Sequence, residues 1–272
     1  MKELSLREIQ QAELDIMTEV DRVARKYGLK YSLFAGTMIG AVRHHGFIPW
    51  DDDIDITMPR PDYDRLRELN KNEDIWPEHI RLACFEDGNL NVPFMKIFDT
   101  RTHVSEEKIY EEDSQNLWVD IFPLDGLPES WDDKVRLYKK SLFLSKLSVA
   151  SAVKKGEGSS AAKNIIREIA VKPYVKIFGR RHISEKQKKL GAKIPYGATP
   201  ECGLAVWGFD GPGQALTIEE YEDLIEMDFE GRKFFVTSSY DKNLTGIFGD
   251  YMQLPPENER ISHNMEVYMD ED

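Results

Sequence analysis

Asp51, Asp52, Asp53 and Asp55 place four carboxylates in five positions, at the start of the apolar alternation Ile54-Asp55-Ile56-Thr57-Met58. In an extended chain residues i and i+2 share a face, so Asp53 and Asp55 point one way while Ile54 and Ile56 point into a core. Two carboxylates side by side repel, and a divalent cation between them makes the arrangement tolerable. An oxygen-only site of this kind suits Mg²⁺ (or Mn²⁺), which keeps water and substrate phosphate among its ligands. An Asp-x-Asp alone also describes a solvated strand edge, but three further features argue for chemistry. Gly36-Thr37 lies upstream at a strand end, where the N–H groups of a small-residue turn can hold a phosphate. Val119-Asp120-Ile121 supplies a third carboxylate on a later strand, which converges with the other two if the strands are neighbours. Lys96, Arg43, His44 and His45 offer positive charge near the same elements, although the two histidines read equally well as polar loop residues.

The elements that must position these groups follow from pattern. Ser5 with Glu8 forms a capping box ahead of a helical apolar repeat ending at Tyr27-Gly28. Residues 30–34 predict a strand, 36–37 a turn, and 38–43 a short helix. Residues 54–58 predict a second strand, ended by Pro59-Arg60-Pro61, with Pro61 suited to the first turn of a helix running to about Asn70. Strands are expected at 79–86, 92–98, 103–109 and 116–122, the last closed by a turn-rich loop over 123–128. Trp131 to Val153 reads as a helix, 154–160 as a flexible connection, and 161–178 as a helix broken near Pro173. A small-residue strand is expected within 201–210. A capping box at Thr217 and Glu220 opens a further helix, and a hairpin spans 229–236 with its turn at Glu230-Gly231. A last helix runs from Ser239 to Phe248, and the acidic tail after Pro255-Pro256 reads as loose. The mixture is α+β, a mixed β-sheet flanked by helices with an inserted helical region. It divides into a core (1–130) carrying the carboxylates, a helical and locally basic region (131–200), and a C-terminal part (201–272) completing the core and the acceptor side.

Across 272 residues, 41% hydrophobic and 31% charged side chains are ordinary for a globular chain. No apolar run approaches the ~18 residues of a spanning helix, and no signal peptide is visible. Cys84 and Cys202 have no metal spacing and read as buried thiols, so a cytoplasmic location is expected. A net charge of −13 argues against a general nucleic-acid binder. Between Lys163 and Lys193, however, ten Lys/Arg face two acids, a local +8 that leaves −13 − 8 = −21 for the rest. Basic segments interleaved with apolar residues dock on anionic membranes, which makes 163–193 a candidate peripheral contact; a solvated helix face is the alternative.

Three blocks resemble the LicD family: Ala35-Gly36-Thr37-Met38-Ile39-Gly40-Ala41-Val42-Arg43, then Gly46-Phe47-Ile48-Pro49-Trp50-Asp51-Asp52-Asp53-Ile54-Asp55, then Val119-Asp120-Ile121-Phe122-Pro123-Leu124-Asp125-Gly126. Phe248-Gly249-Asp250-Tyr251-Met252-Gln253-Leu254-Pro255-Pro256 fits as well, while 131–200 carries no matching motif. The resemblance implies a nucleotidyltransferase-like core and a phosphotransferase that moves phosphocholine from CDP-choline onto a sugar hydroxyl, GalNAc by expectation. The acceptor would be a teichoic acid or related surface polysaccharide precursor on a lipid carrier, handled at the inner face of the plasma membrane. On this pattern Asp53, Asp55 and Asp120 are the catalytic and metal-binding acids, with Asp120 either completing the metal site or serving as general base. Gly36, Thr37, Arg43, His44, His45 and Lys96 would contact phosphate. Choline is a quaternary ammonium best held over aromatic faces, and Trp50, Trp118 and Trp207 are the candidates. The same three acids also suit a nucleotidylyltransferase, or a transferase of glycerol or ribitol phosphate. A non-catalytic choline- or glycan-binding protein is the reading from a different class.

Overall fold

The computed structural model describes residues 1–105, 115–154, 160–260 and 265–270. After a two-residue strand β1 (Lys2–Glu3), helix α1 (Leu6–Tyr27) begins where expected, with Ser5 and Glu8 closing a capping box and Gly28 in the left-handed conformation (φ 64°) ending it. Its buried stripe, Ile9, Ile16, Met17, Val20 and Val23, lies across one face of the central sheet.

That sheet is built from β2 (Ser32–Leu33), β3 (Ile54–Pro59), β4 (Ile80–Cys84), β5 (Met95–Asp99) and β7 (Leu117–Gly126), in the order β2-β3-β7-β5-β4. Only β3 and β7 are parallel; the other neighbours are antiparallel. Helix α2 (Ala35–Ile39) continues as a wide turn over Gly40–His44, and α3 (Arg60–Asn72) starts with Pro61 in its first turn. Strand alternation sorts the residues as anticipated. Ile54, Ile56, Val119, Ile121, Met95 and Ile97 join the core under α1, and the opposite side gathers Phe34, Phe94, Phe122 and Leu124 in a second cluster.

Several elements differ from the pattern reading. Strand β7 does not stop at Phe122: it runs through Pro123 and Gly126, because its far end gains a second partner, β8 (Glu201–Gly203), with Asp125 opposite Gly203. Pro123 is tolerated opposite Met58 of β3, and Arg60 fixes the strand end by two bonds to the buried Asp125 carboxylate at 2.9 and 2.7 Å. The strand expected at 103–109 is β6 (Thr102–Ser105), and its remainder lies outside the described residues. It leaves the central sheet to pair with β12 (Glu266–Met269), which also pairs with β1. Residues 266–269 of the tail are therefore not loose: β12 is bonded on both edges and Val267 is fully buried.

Helix α4 (Trp131–Ala152) matches expectation, and most of the connection after it lies outside the described residues. The break beyond falls earlier than Pro173. Helix α5 (Ala161–Ile166) passes into a wide turn over Arg167–Val171 before α6 (Lys172–Phe178), since proline has no N–H to donate to the preceding turn. Arg180–Gly191, inside the region expected to be helical but given no bounds there, forms α7 and packs on α4. The strand expected within 201–210 shrinks to β8, which also pairs with β9 (Leu216–Thr217). Helix α8 (Ile218–Glu222) has its capping box, and β10 (Leu224–Phe229) with β11 (Arg232–Thr237) forms the hairpin around Glu230-Gly231. Helix α9 (Tyr240–Phe248) stops at Gly249. Both cysteines are buried and free. Among the described residues no helix is long and apolar enough to cross a membrane.

Candidate active site

The parallel pair β3–β7 is in register with Asp55 opposite Asp120, and β5 on the other side of β7 sets Lys96 opposite Asp120. One row across the sheet therefore reads Asp55, Asp120, Lys96, on the face away from α1. Asp53 precedes Asp55 by two residues, at the mouth of β3.

Asp120 is held from two sides. Lys96 Nζ is 3.1 Å from one carboxylate oxygen, and the Trp118 indole N–H donates to the other at 3.1 Å. Lys96 Nζ also lies 3.8 Å from the Trp118 ring centroid, so ammonium, carboxylate and indole form a closed triangle. Asp55 has a different environment. Burial, followed by the charges of Asp53 and Asp120, pushes its carboxyl well above the usual range.

The turn facing these acids is tightly built. Ala35, the first residue of α2, is in the left-handed region (φ 45°), an uncommon and strained state for a residue with a Cβ. A Cβ at Gly40 would come within 2.5 Å of the Gly46 carbonyl, so this loop closes only through glycine there, and one at Gly36 would sit 3.1 Å from Asp51 Oδ2, a tight fit to which the carboxylate would have to yield. The Thr37 hydroxyl accepts a 2.9 Å hydrogen bond from the Asp55 N–H, which ties the turn to the start of β3.

The remaining residues expected at the site divide into two groups. Arg43 and Trp50 line a cleft of about 480 Å³ together with Gly36, Asp51, Tyr251 and Pro256. This brings the Phe248–Pro256 block to the turn although some 200 residues separate them in the sequence. Arg43 donates to the Tyr251 carbonyl at 2.6 Å, and the Arg260 guanidinium lies 5.0 Å from the Trp50 ring centroid. His44 and His45 are not part of the cleft lining. His44 accepts from Arg43 at 2.9 Å, and burial with the Arg43 charge lowers its pKa. The His45 carbonyl instead accepts from Glu230 N–H in the hairpin turn. Trp207 packs edge-on against Phe94 at 5.2 Å, as part of the second apolar cluster.

Two acids at the site were missed. Glu13 is buried on α1 and accepts from the Ile54 N–H; burial first, then Asp53, Asp120 and Asp55, raise its carboxyl well above the ordinary range. A signal existed, since Glu13 sits at helical spacing between Ile9 and Ile16 on the apolar stripe, where an ionisable side chain is rare. Asp210 adds to the negative charge felt by Asp55, and burial raises its own pKa to about 6. No sequence pattern marks it.

Among the described residues, no three His, Cys, Asp or Glu side chains are already arranged as a metal-binding group. The oxygen donors Asp53 and Asp55 nevertheless fit a hard divalent cation, because the repulsion that raises Asp55 is what such an ion relieves.

Carboxylates thus converge from adjacent parallel strands of a mixed sheet, beside a glycine turn. The LicD/FKTN/FKRP nucleotidyltransferase domain matches residues 28–146, which hold the turn and all three aspartates. The chain is 33% identical over 276 residues to the lipopolysaccharide cholinephosphotransferase LicD of Haemophilus influenzae, covering 98% of each. It therefore belongs to the LicD family. An uncharacterized protein of Rickettsia prowazekii is 27% identical over 132 residues (47% of this chain, 45% of that one). One of Rickettsia typhi is 39% identical over 54 residues (20% and 18%).

Proposed function

We propose that this enzyme transfers phosphocholine from CDP-choline to a sugar hydroxyl of a surface glycan, a GalNAc of a teichoic acid or related lipid-linked precursor. The reading rests on the register of Asp55 against Asp120 beside Lys96, supported by a relative named as a lipopolysaccharide cholinephosphotransferase. The acceptor oxygen forms a bond to the choline-bearing phosphorus, the bridging P–O bond breaks, and CMP departs. Asp53 and Asp55 would hold Mg²⁺ or Mn²⁺, which when bound neutralises charge on the diphosphate. Asp120, oriented by Trp118 and paired with Lys96, takes the proton of the acceptor hydroxyl. Trp50 offers an aromatic face to the trimethylammonium group from within the cleft beside the turn. Lys96 lies 3.8 Å from the Trp118 ring and Arg260 5.0 Å from the Trp50 ring, so at either residue choline would take the face left open; Trp50 is preferred because it lines the cleft.

The test is purified protein with choline-labelled CDP-choline, Mg²⁺ and a panel of free and lipid-linked GalNAc acceptors. CMP release with label on the glycan supports the assignment. Pyrophosphate release from a nucleoside triphosphate would indicate nucleotidylyl transfer, and choline binding without turnover or any metal effect would remove the enzymatic reading.

A further inference from the structure

The basic segment has a definite surface in the folded chain. Helix α5, the wide turn and α6 are anchored by buried Arg167 and Val171, while Ile165, Ile166, Ile169, Ile177 and Phe178 are 54–73% exposed. Ile165, Ile169 and Ile177 follow a spacing of four and eight residues, so they form one stripe with exposed Pro173 between them. Large apolar residues concentrated this way are unusual on a surface that meets only water.

The charges around the stripe are only partly matched. Lys172 pairs with Glu168 at 2.7 Å, Lys189 with Glu185 at 3.2 Å and Lys188 with Glu86 at 3.1 Å. Lys146 and Lys176 are exposed and make no ion pair among the described residues. Beside the stripe, between α4 and the wide turn, is a cavity of about 460 Å³ whose lining combines Val149, Ile166 and Val171 with Lys146, Lys163 and Arg167. Apolar walls with three cations suit an anionic headgroup carrying hydrocarbon, and suit an acidic protein surface poorly.

We propose that the α5–α6 stripe is a docking face for an anionic lipid bilayer, with Ile169, Ile177 and Phe178 entering the headgroup region and Lys146 and Lys176 meeting lipid phosphates. The remaining −21 of the chain would keep other faces away from the same surface. The inference stands apart from the assigned reaction, because its readout is lipid binding alone.

Flotation of the full chain with phosphatidylcholine vesicles and with equal mixtures of phosphatidylcholine and phosphatidylglycerol tests it. The protein should float with the mixed vesicles only, and added salt should weaken this. Ile169→Asn with Ile177→Asn, and separately Lys146→Glu with Lys176→Glu, should each lower the partition constant by about tenfold or more. All four side chains are exposed, so the thermal midpoint should not change. Absence of flotation with anionic vesicles overturns the proposal, and so does flotation that both double variants retain. Self-association lost in the isoleucine variant, without vesicle binding, would make the stripe a contact between copies and overturn it as well.

Discussion

Asp55→Asn should make the protein more stable and inactive. Asp55 and Asp120 are opposed on neighbouring parallel strands, which puts in-register side chains roughly 5 Å apart. Two unit charges at that distance repel by about 3 kcal/mol at an effective dielectric of 20. Lys96 offsets part of this by pairing with Asp120, while Asp53 and Asp210 add to it. A net relief of about 1–2 kcal/mol is reasonable, and at about 2–4 °C per kcal/mol for a chain of this size the midpoint should rise by roughly 2–8 °C. The pH dependence fixes the sign. Because the folded chain holds the Asp55 proton to higher pH than the unfolded chain, its stability is fully present below the ordinary carboxylate range. That stability is lost as pH rises through the elevated folded value. The gain from Asp55→Asn should therefore be absent near pH 4 and present at pH 7. Thermal unfolding in a chelator at both pH values measures it. Mg²⁺ should then raise the wild-type midpoint and narrow the gap, since a ligand bound only by the folded state stabilises it by mass action. A lower midpoint for the variant at pH 7, or turnover near wild type, would refute the reasoning.

Asp120→Asn should lose at least ~100-fold in CMP release while still folding; near-normal turnover removes Asp120 from the catalytic set. Trp50→Ala should raise the KM for CDP-choline by about tenfold with a smaller effect on kcat, and an unchanged KM would place the choline contact elsewhere. Asp125→Ala leaves the largely buried Arg60 guanidinium without its carboxylate and should cost about 3 kcal/mol, read as a fall in the denaturant midpoint; a change under about 1 kcal/mol would show that the pair does not secure the end of β7.

Much of the site was legible because the signals are local. The alternation around Asp55 and around Asp120 fixes which face each acid takes, whatever the strands pair with. Gly36 marked the turn, and the structure adds Gly40, where the Gly46 carbonyl leaves no room for a side chain. Thr37 was expected at phosphate, yet its hydroxyl is bonded to the Asp55 N–H. A side chain's partner depends on what the fold brings near it, and residue type cannot supply that.

The sequence by itself determined the α+β class, the capped helix α1, the hairpin at Glu230-Gly231 and the presence of acids on one strand face, since caps, turns and period-2 patterns act over a few residues. Tertiary structure decided that β3 and β7 are parallel neighbours in register, that Lys96 rather than a distant cation pairs with Asp120, that Glu13 reaches under the site from α1, and that the tail returns as β12. Those outcomes join residues tens to hundreds of positions apart, and only the packing of α1 against a common sheet selects among the pairings that local pattern leaves equal.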